Sequence, residues 1–252
     1  MKYHIHSNAD TLGQAAAKRS AKIIQDAINE KGEARVIFST GASQFETIQS
    51  LLKEDIDWSK VVGFHLDEYI GLDESHPASF VKYLKERLVN YVSFKAFYFV
   101  SPWEGTDNTI NHCTKALLDS PIDLGLIGIG ENAHIAFNDP PAQFDVQEAY
   151  HVVTLDDACR HQQMGEGWFK TLNEVPTQAI SMSVHQILQC KRIICAVPHR
   201  VKALAILNTI QSEPMNPWVP SSALKIHQDV EVYLDYGSSS LVPKEVLNEI
   251  HT

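Results

Sequence analysis

The chain has 252 residues, of which 44% are hydrophobic and 21% charged, and its net charge is −10 with histidine neutral. These totals are ordinary for a globular protein and exclude a disordered or collagen-like chain. The acidic balance argues against a nucleic-acid-binding surface but not against a small anionic ligand, since a few local amides and cations suffice to hold a phosphate.

Strand and helix patterns alternate along the chain. An Ala- and Ile-rich helix is predicted at 10–30, with Gly32 as its stop signal, and the mostly apolar run ARVIF predicts a buried strand at 34–38. A turn then leads into a helix at 45–52. The later predicted strands are 60–66, 95–100, 122–130, 179–184, 192–197 and 230–236, and the later helices are 76–92 (with Pro77 in its first turn), 108–120 and 200–210. This alternation predicts an α/β fold with a mostly parallel sheet covered by helices on both faces.

Ligands of such sheets bind beyond the carboxyl ends of the strands, so the residues that follow each strand are the candidates for a site. The first such segment contains Thr40, Gly41, Ala42 and Ser43. A turn of small residues that opens a helix offers backbone amides and hydroxyls to a phosphate. The alternative is an ordinary tight turn in which Ser43 caps the helix.

The second segment places Asp67, Glu68 and Tyr69 at the end of the strand 60–66. Placing two adjacent charged carboxylates at a strand end costs free energy, so their presence there indicates a function. One of them could serve as a general base. The alternative is a helix-capping Asp67 with a solvated Glu68.

The third segment is the glycine-rich stretch 128–140, in which His134 lies five residues before Asp139 and four after Gly130. A carboxylate near an imidazole fixes its tautomer and raises its basicity, so this histidine is a candidate acid–base group rather than a structural one. In the fourth segment Lys202 follows the strand 192–197, where it could meet an anion at a helix start. The alternative there is a solvated lysine.

Taken together, these segments resemble the glucosamine-6-phosphate deaminase family. The similar stretches are STGASQFETIQSL, VVGFHLDEYIGL with HPASF, IDLGLIGIGENAHIAFNDP, VPHRVKALAIL and VPSSALKIH. They occur in the family's order over roughly residues 10–236, so residues 1–252 are interpreted as one domain. The resemblance implies a doubly wound, Rossmann-like fold, an amino-sugar phosphate as the small-molecule partner, and no cofactor or metal.

The resemblance also implies roles for individual residues. His134 would open the sugar ring, with Asp139 and Asn132 supporting it, and Asp67 would move a proton from C2 to C1 through an enolamine. The amine would leave C2 and give fructose 6-phosphate. The residues expected to bind the substrate are Thr40, Gly41, Ala42, Ser43, Glu68, Tyr69, Gly130 and Lys202.

The chain departs from the family pattern at several positions. The family often has Glu where this chain has Asp139, which would lengthen or re-route the contact to His134, and Ala133 stands where Gly is usual. The stretch 154–169 matches poorly, and Arg160 is its only candidate for a phosphate-binding arginine.

Three other functions stay open. A 6-phosphogluconolactonase usually has Asp-Glu-Arg where this chain has 67–69, and Asp-Gly-His-Thr-Ala-Ser where it has 132–137, and both differences favour the deaminase. A galactosamine-6-phosphate deaminase is the second alternative, and a non-catalytic sugar-phosphate sensor is the third.

The four cysteines are scattered and show no metal-ligand spacing, which favours reduced thiols in a cytoplasmic protein. No apolar run reaches the length of about 18 residues that a membrane span needs, so no membrane partner is expected.

Overall fold

The computed structural model describes residues 1–165 and 167–250, so three residues of the expected domain, 166, 251 and 252, lie outside it. The strands are β1 (Lys2–His6), β2 (Ala34–Phe38), β3 (Val61–His65), β4 (Asp67–Tyr69), β5 (Ala96–Tyr98), β6 (Leu124–Ile127), β7 (Tyr150–Thr154), β8 (Gln178–Met182), β9 (Arg192–Val197) and β10 (Val230–Asp235). The helices are α1 (Ala9–Lys31), α2 (Phe45–Leu51), α3 (Phe80–Arg87), α4 (Thr106–Leu118), α5 (Asp157–Gly165), α6 (Val184–Ile187), α7 (Ala203–Gln211) and α8 (Lys244–Ile250).

The main sheet contains seven strands in the order β1-β10-β9-β6-β2-β3-β5, and every neighbouring pair is parallel. Apolar side chains of α1, α2 and α3 pack on one face, and those of α4, α6 and α7 pack on the other. The predicted doubly wound α/β fold is therefore confirmed. No helix among the described residues is both long and apolar enough to cross a membrane.

Strand β2 shows why the sequence specifies this sheet. All five of its residues are buried, with Val36 and Phe38 in the core beneath α1 and Ile37 in the core on the opposite face. A strand covered on both faces reads as a near-continuous apolar run, which is the pattern that predicted it, and only Arg35 interrupts that run. Helix α1 ends as predicted at Gly32, whose φ of 84° suits glycine.

Most predicted elements differ from the structure by up to three residues at their ends, and two differ more. The strand predicted at 179–184 corresponds to β8, which lies in a separate three-stranded antiparallel sheet of order β4-β8-β7 rather than in the main sheet. The helix predicted at 76–92 begins only at Phe80, so Pro77 precedes it. Its start is set by Ser79, whose hydroxyl accepts a hydrogen bond from the amide of Lys82.

The strand order reverses between β6 and β2. The chain runs from β2 outward to β3 and β5, then returns to the other side of β2 and continues through β6, β9 and β10. Such a reversal opens a crevice at the carboxyl ends of the two central strands, where doubly wound proteins bind ligands.

Candidate active site

A cleft lies at this reversal, at the carboxyl ends of β2, β3, β6 and β9. Its walls bring together eight of the twelve site residues predicted from the sequence. These are Thr40, Gly41, Ala42, Ser43, Asp67, Gly130, His134 and Lys202. Four segments far apart in sequence therefore share one surface.

The turn after β2 forms one wall of the cleft. Gly41 has φ 97° and ψ 165°, a conformation suited to glycine, and precedes a 3-10 turn over Ala42–Gln44 that continues into α2. The Gln44 side chain donates to the carbonyl of Ala196 in β9, which fixes the turn against the neighbouring strand end. Ser43 does not cap α2, because Gln44 occupies that place without a side-chain hydrogen bond, so the capping alternative is wrong.

Asp67 is the first residue of β4 and lines the cleft although its residue surface is only 6% exposed. Burial raises its pKa well above the ordinary value, and the charges of Glu68 and Asp139 raise it further. A carboxylate with a raised pKa is a stronger base than an exposed aspartate, which is what proton abstraction near neutral pH requires.

Glu68 lies behind the cleft wall rather than on it. Its carboxylate accepts hydrogen bonds from the amides of Tyr69 and Val81 and from the hydroxyl of Ser79, at 2.8–2.9 Å. Burial raises the Glu68 pKa to about 7 in spite of these bonds. The alternative of a helix-capping Asp67 with a solvated Glu68 is therefore wrong, since the buried Glu68 is the residue that meets the start of α3.

Tyr69 also lies behind the wall, 1% exposed, and its hydroxyl donates to Oε1 of Gln163 at 2.6 Å. Its ring packs at 5.0–5.7 Å between centroids against Phe80, Phe137 and Phe169. Phe80, Phe137 and Gln163 themselves line the cleft. Tyr69 thus packs behind the apolar side chains of the cleft and does not line the cleft itself.

His134 and Asp139 form a pair in the loop after β6. His134 Nδ1 lies 3.1 Å from Asp139 Oδ1, which also accepts a hydrogen bond of 2.8 Å from the Asn132 amide. Burial of Asp139 acts to raise its pKa, but the His134 and Asn132 hydrogen bonds and the His134 charge lower it to about 2. Because a carboxylate only accepts, Nδ1 carries the proton and Nε2 is the basic nitrogen. The shorter Asp139 side chain does not re-route the contact to His134, since the contact is direct, and its lengthening relative to Glu stays a prediction.

The backbone of this loop is built around the imidazole. A Cβ on Gly130 would meet the His134 ring at 2.2 Å, so only glycine leaves room for it. The Gly130 amide donates to the His134 carbonyl at 2.9 Å. Ala133 has φ 69° and Ala136 φ 51°, left-handed values that are unusual for residues other than glycine and that cluster at functional sites.

Among the described residues that line the cleft, Lys202 is the only Lys or Arg. Arg160, the predicted phosphate-binding candidate, is not in this lining. Its guanidinium instead donates to the carbonyls of Leu172 and Val175 and pairs with Asp157. The proposal that Arg160 completes a phosphate site is therefore wrong, because these contacts hold it at the base of α5.

The sequence reasoning missed several cleft residues, namely Phe80, Phe137, Gln163, His199, Val201 and Glu131. A local signal existed for His199, Val201 and Glu131, which follow a buried strand within four residues, as several of the predicted site residues do. Phe80, Phe137 and Gln163 are brought in by tertiary packing. No group of three or more metal-ligating side chains close enough to hold a metal ion occurs in the part of the chain that the structure describes.

Comparison with known proteins relates the chain to sugar-phosphate enzymes. Residues 7–233 match the family model of glucosamine-6-phosphate isomerases and 6-phosphogluconolactonases. A glucosamine-6-phosphate deaminase of Streptococcus pneumoniae is 34% identical over 232 residues, which cover 90% of this chain and 96% of the relative.

Solved structures agree at the level of the fold. The structure of a monomeric glucosamine-6-phosphate deaminase has a TM-score of 0.86 and 28% identity, and the match covers 96% of this chain and 100% of that one. The 6-phosphogluconolactonase of Trypanosoma brucei has a TM-score of 0.73 at 14% identity, with 96% of this chain and 98% of that one covered. At that identity the second likeness indicates a shared fold alone.

Proposed function

The chain belongs to the family of glucosamine-6-phosphate isomerases and 6-phosphogluconolactonases, and from that premise we propose that it is a glucosamine-6-phosphate deaminase. The reaction would convert a hexosamine 6-phosphate and water into fructose 6-phosphate, or the related ketose phosphate, and ammonia. The observation that carries the proposal is the pairing, in one cleft, of a buried carboxyl of raised pKa with an imidazole of fixed tautomer. Asp67 supplies the first group and His134 the second.

Ring opening is assigned to His134. Proton transfer to the ring oxygen must accompany loss of the C1 hydroxyl proton, and an imidazole can carry out both steps in turn. Asp139 holds Nδ1, so Nε2 is the nitrogen that exchanges protons with the substrate. Asn132 keeps the Asp139 carboxylate in place from its other side.

Proton transfer between carbons is assigned to Asp67. In the open-chain sugar the C2 proton lies α to the C1 aldehyde, and its removal gives an enolamine. Return of that proton to C1 gives an iminium at C2, to which water adds while ammonia leaves. One carboxyl group that is both a competent base and a competent acid near neutral pH suits this sequence, and the raised Asp67 pKa favours it.

Anchoring of the phosphate is assigned to the turn 40–43 and to Lys202, which lie on the cleft wall with Asp67 and His134. Backbone amides and an ammonium are established partners of phosphate. Binding energy at this remote end orients C1 and C2 against the acid–base groups.

Activity assays test the proposal directly. Purified protein is incubated with glucosamine 6-phosphate, galactosamine 6-phosphate and 6-phosphogluconolactone, while ammonia release and lactone loss are measured. We expect ammonia from glucosamine 6-phosphate in preference to its epimer, and no acceleration of lactone hydrolysis. Absence of ammonia from both hexosamine phosphates would refute the proposal.

A variant separates the chemical role of Asp67 from a structural one. Asp67→Asn keeps the size of the side chain, so we expect deamination to be abolished and binding of fructose 6-phosphate to persist. Asp57→Asn, at an exposed aspartate outside the cleft, is the matched control and should keep full activity. Simultaneous loss of binding and activity in Asp67→Asn would indicate a structural role instead.

A further inference from the structure

His199 has a backbone conformation that side chains seldom adopt. It lies between β9 and a 3-10 turn over Arg200–Lys202, with φ 79° and ψ 142°. These angles border a region occupied almost solely by glycine. Strain of this kind persists only where the surroundings enforce it, and it is concentrated at ligand-binding sites.

The turn after β2 shows what the same backbone looks like without strain. Gly41, with φ 97° and ψ 165°, precedes the 3-10 turn Ala42–Gln44 and then α2, just as His199 precedes its 3-10 turn and then α7. Glycine meets this requirement at 41, whereas the chain carries an imidazole at 199. A side chain kept at such a position indicates a use that glycine could not serve.

The backbone at 199 is held from both sides without help from the ring. Its amide donates to Oδ2 of Asp235 at 3.0 Å, and its carbonyl accepts from the amide of Lys202 at 3.1 Å. Asp235 is itself buried and accepts from the amide of Ser238 through its other oxygen. These contacts fix where the imidazole can reach.

His199 lines the same cleft as the turn 40–43. Lys202 is the only Lys or Arg among the described residues of the cleft lining, while Asp67 and Glu131 are carboxylates. A phosphate dianion needs several hydrogen-bond donors. A further donor at this wall would offset the repulsion between the phosphate and the two carboxylates. We propose that the His199 imidazole donates a hydrogen bond to the phosphate of the substrate and so selects phosphorylated sugars. This inference rests on the proposed function, whose phosphate site it extends.

Two substitutions distinguish the contribution of the His199 imidazole from that of the strained backbone. His199→Ala removes the ring and keeps the strained Cβ, whereas His199→Gly removes both. The dissociation constants of inorganic phosphate and fructose 6-phosphate are measured by calorimetry, together with KM, kcat and Tm. We expect both variants to bind phosphate about 10-fold more weakly and to show a similar rise in KM, with kcat changed little. Only His199→Gly should gain stability, by about 2 to 6 °C in Tm.

The outcomes keep this inference distinct from the proposed function. Phosphate affinity within about twofold of wild type in both variants would overturn the role of His199, even if the wild type releases ammonia. Weakened phosphate binding in both variants supports that role, even if the wild type deaminates neither hexosamine phosphate. A loss of affinity in His199→Gly alone would assign the effect to the backbone and also overturn the inference.

Discussion

The hydroxyl of Tyr69 donates a 2.6 Å hydrogen bond to Oε1 of Gln163, and this bond ties the strand that carries Asp67 to helix α5. Both residues are buried, yet Gln163 also lines the cleft. A carboxamide whose oxygen is engaged by a tyrosine presents its amide hydrogens to other partners. The tyrosine therefore sets which end of Gln163 is left for a sugar hydroxyl.

Tyr69→Phe tests whether the Tyr69 hydroxyl orients the Gln163 carboxamide. The substitution leaves a buried carboxamide oxygen without its donor, so we expect the free energy of unfolding to fall by about 1–3 kcal/mol and KM to rise several-fold. Urea unfolding and steady-state kinetics measure the two effects. Tyr3→Phe is the matched control, because within the described part of the chain the Tyr3 hydroxyl has only a 3.9 Å contact with the Met1 sulfur. Equal KM values for the wild type and Tyr69→Phe would show that the orientation of Gln163 does not matter.

Asp139→Asn should affect both activity and acid stability. The amide can present its NH₂ to His134 and favour the wrong tautomer, so we expect kcat to fall by about 10²–10⁴-fold. The Asp139 pKa is lowered from 3.8 to about 2, so the wild-type carboxylate stabilises the fold above pH 4, and this stabilisation is lost as pH falls towards 2. This lowering of the Asp139 pKa corresponds to a stabilisation of the folded state by roughly 2 kcal/mol.

Denaturant unfolding of the wild type and Asp139→Asn between pH 2 and pH 7 tests the stability claim. The gap between the two proteins should be widest above pH 4 and should close towards pH 2. A gap of constant size over this range would mean that the lowered Asp139 pKa does not contribute to stability.

Much of the fold could be read from the sequence, because its strands carry their signal locally. Four of the five residues 34–38 are apolar, with Arg35 the exception, and the run forms the predicted strand at its predicted bounds. Strand β1 was missed because its residues, KYHIH, are mostly polar and it lies at the sheet edge. Strand β4 was missed because it has only three residues and forms by pairing with β8, where Ser181, the partner of Asp67, lies more than a hundred positions away in sequence.

The site was predictable only where a residue follows a buried strand. Asp67, His134 and Lys202 do so, and the structure places all three on the cleft. Gln163 reaches the cleft because Tyr69 holds α5 against it, and no short pattern encodes that contact. Arg160 was misjudged for the same reason, since carbonyls at 172 and 175 occupy its guanidinium.

Glu68→Gln should move the pH profile. The Glu68 charge raises the pKa of Asp67, so its removal should lower that pKa and shift the acid limb of kcat/KM to lower pH. Measurement of kcat/KM from pH 4 to pH 9 tests this, with Glu30→Gln, at an exposed glutamate, as control. An unshifted acid limb would mean that Glu68 and Asp67 are not coupled, or that another group limits the rate.

Glu68→Gln should also change how the free energy of unfolding depends on pH. The Glu68 pKa is raised from 4.5 to about 7 in the folded protein, so its stabilising contribution is present below pH 4.5 and is lost as pH rises through 7. Relative to Glu68→Gln, the wild type should therefore lose on the order of 3 kcal/mol across this interval. Urea unfolding at pH 4.5, 6 and 8 measures the trend, and a parallel pH dependence of the two proteins would contradict it.

Gly130→Ala tests whether the imidazole needs the space that glycine leaves. The added Cβ would meet the His134 ring at 2.2 Å, so the ring must move, and a displacement of about 1 Å is enough to cost about 10²-fold in kcat. Phosphate affinity should stay unchanged, because the turn 40–43 is a separate wall of the cleft. Gly165→Ala is the control, since no described residue beyond its chain neighbours lies within 4 Å of its added Cβ at the end of α5, and we expect wild-type kinetics. Undiminished kcat in Gly130→Ala would show that the position of His134 tolerates this shift, which would remove the structural basis for assigning it the ring-opening step.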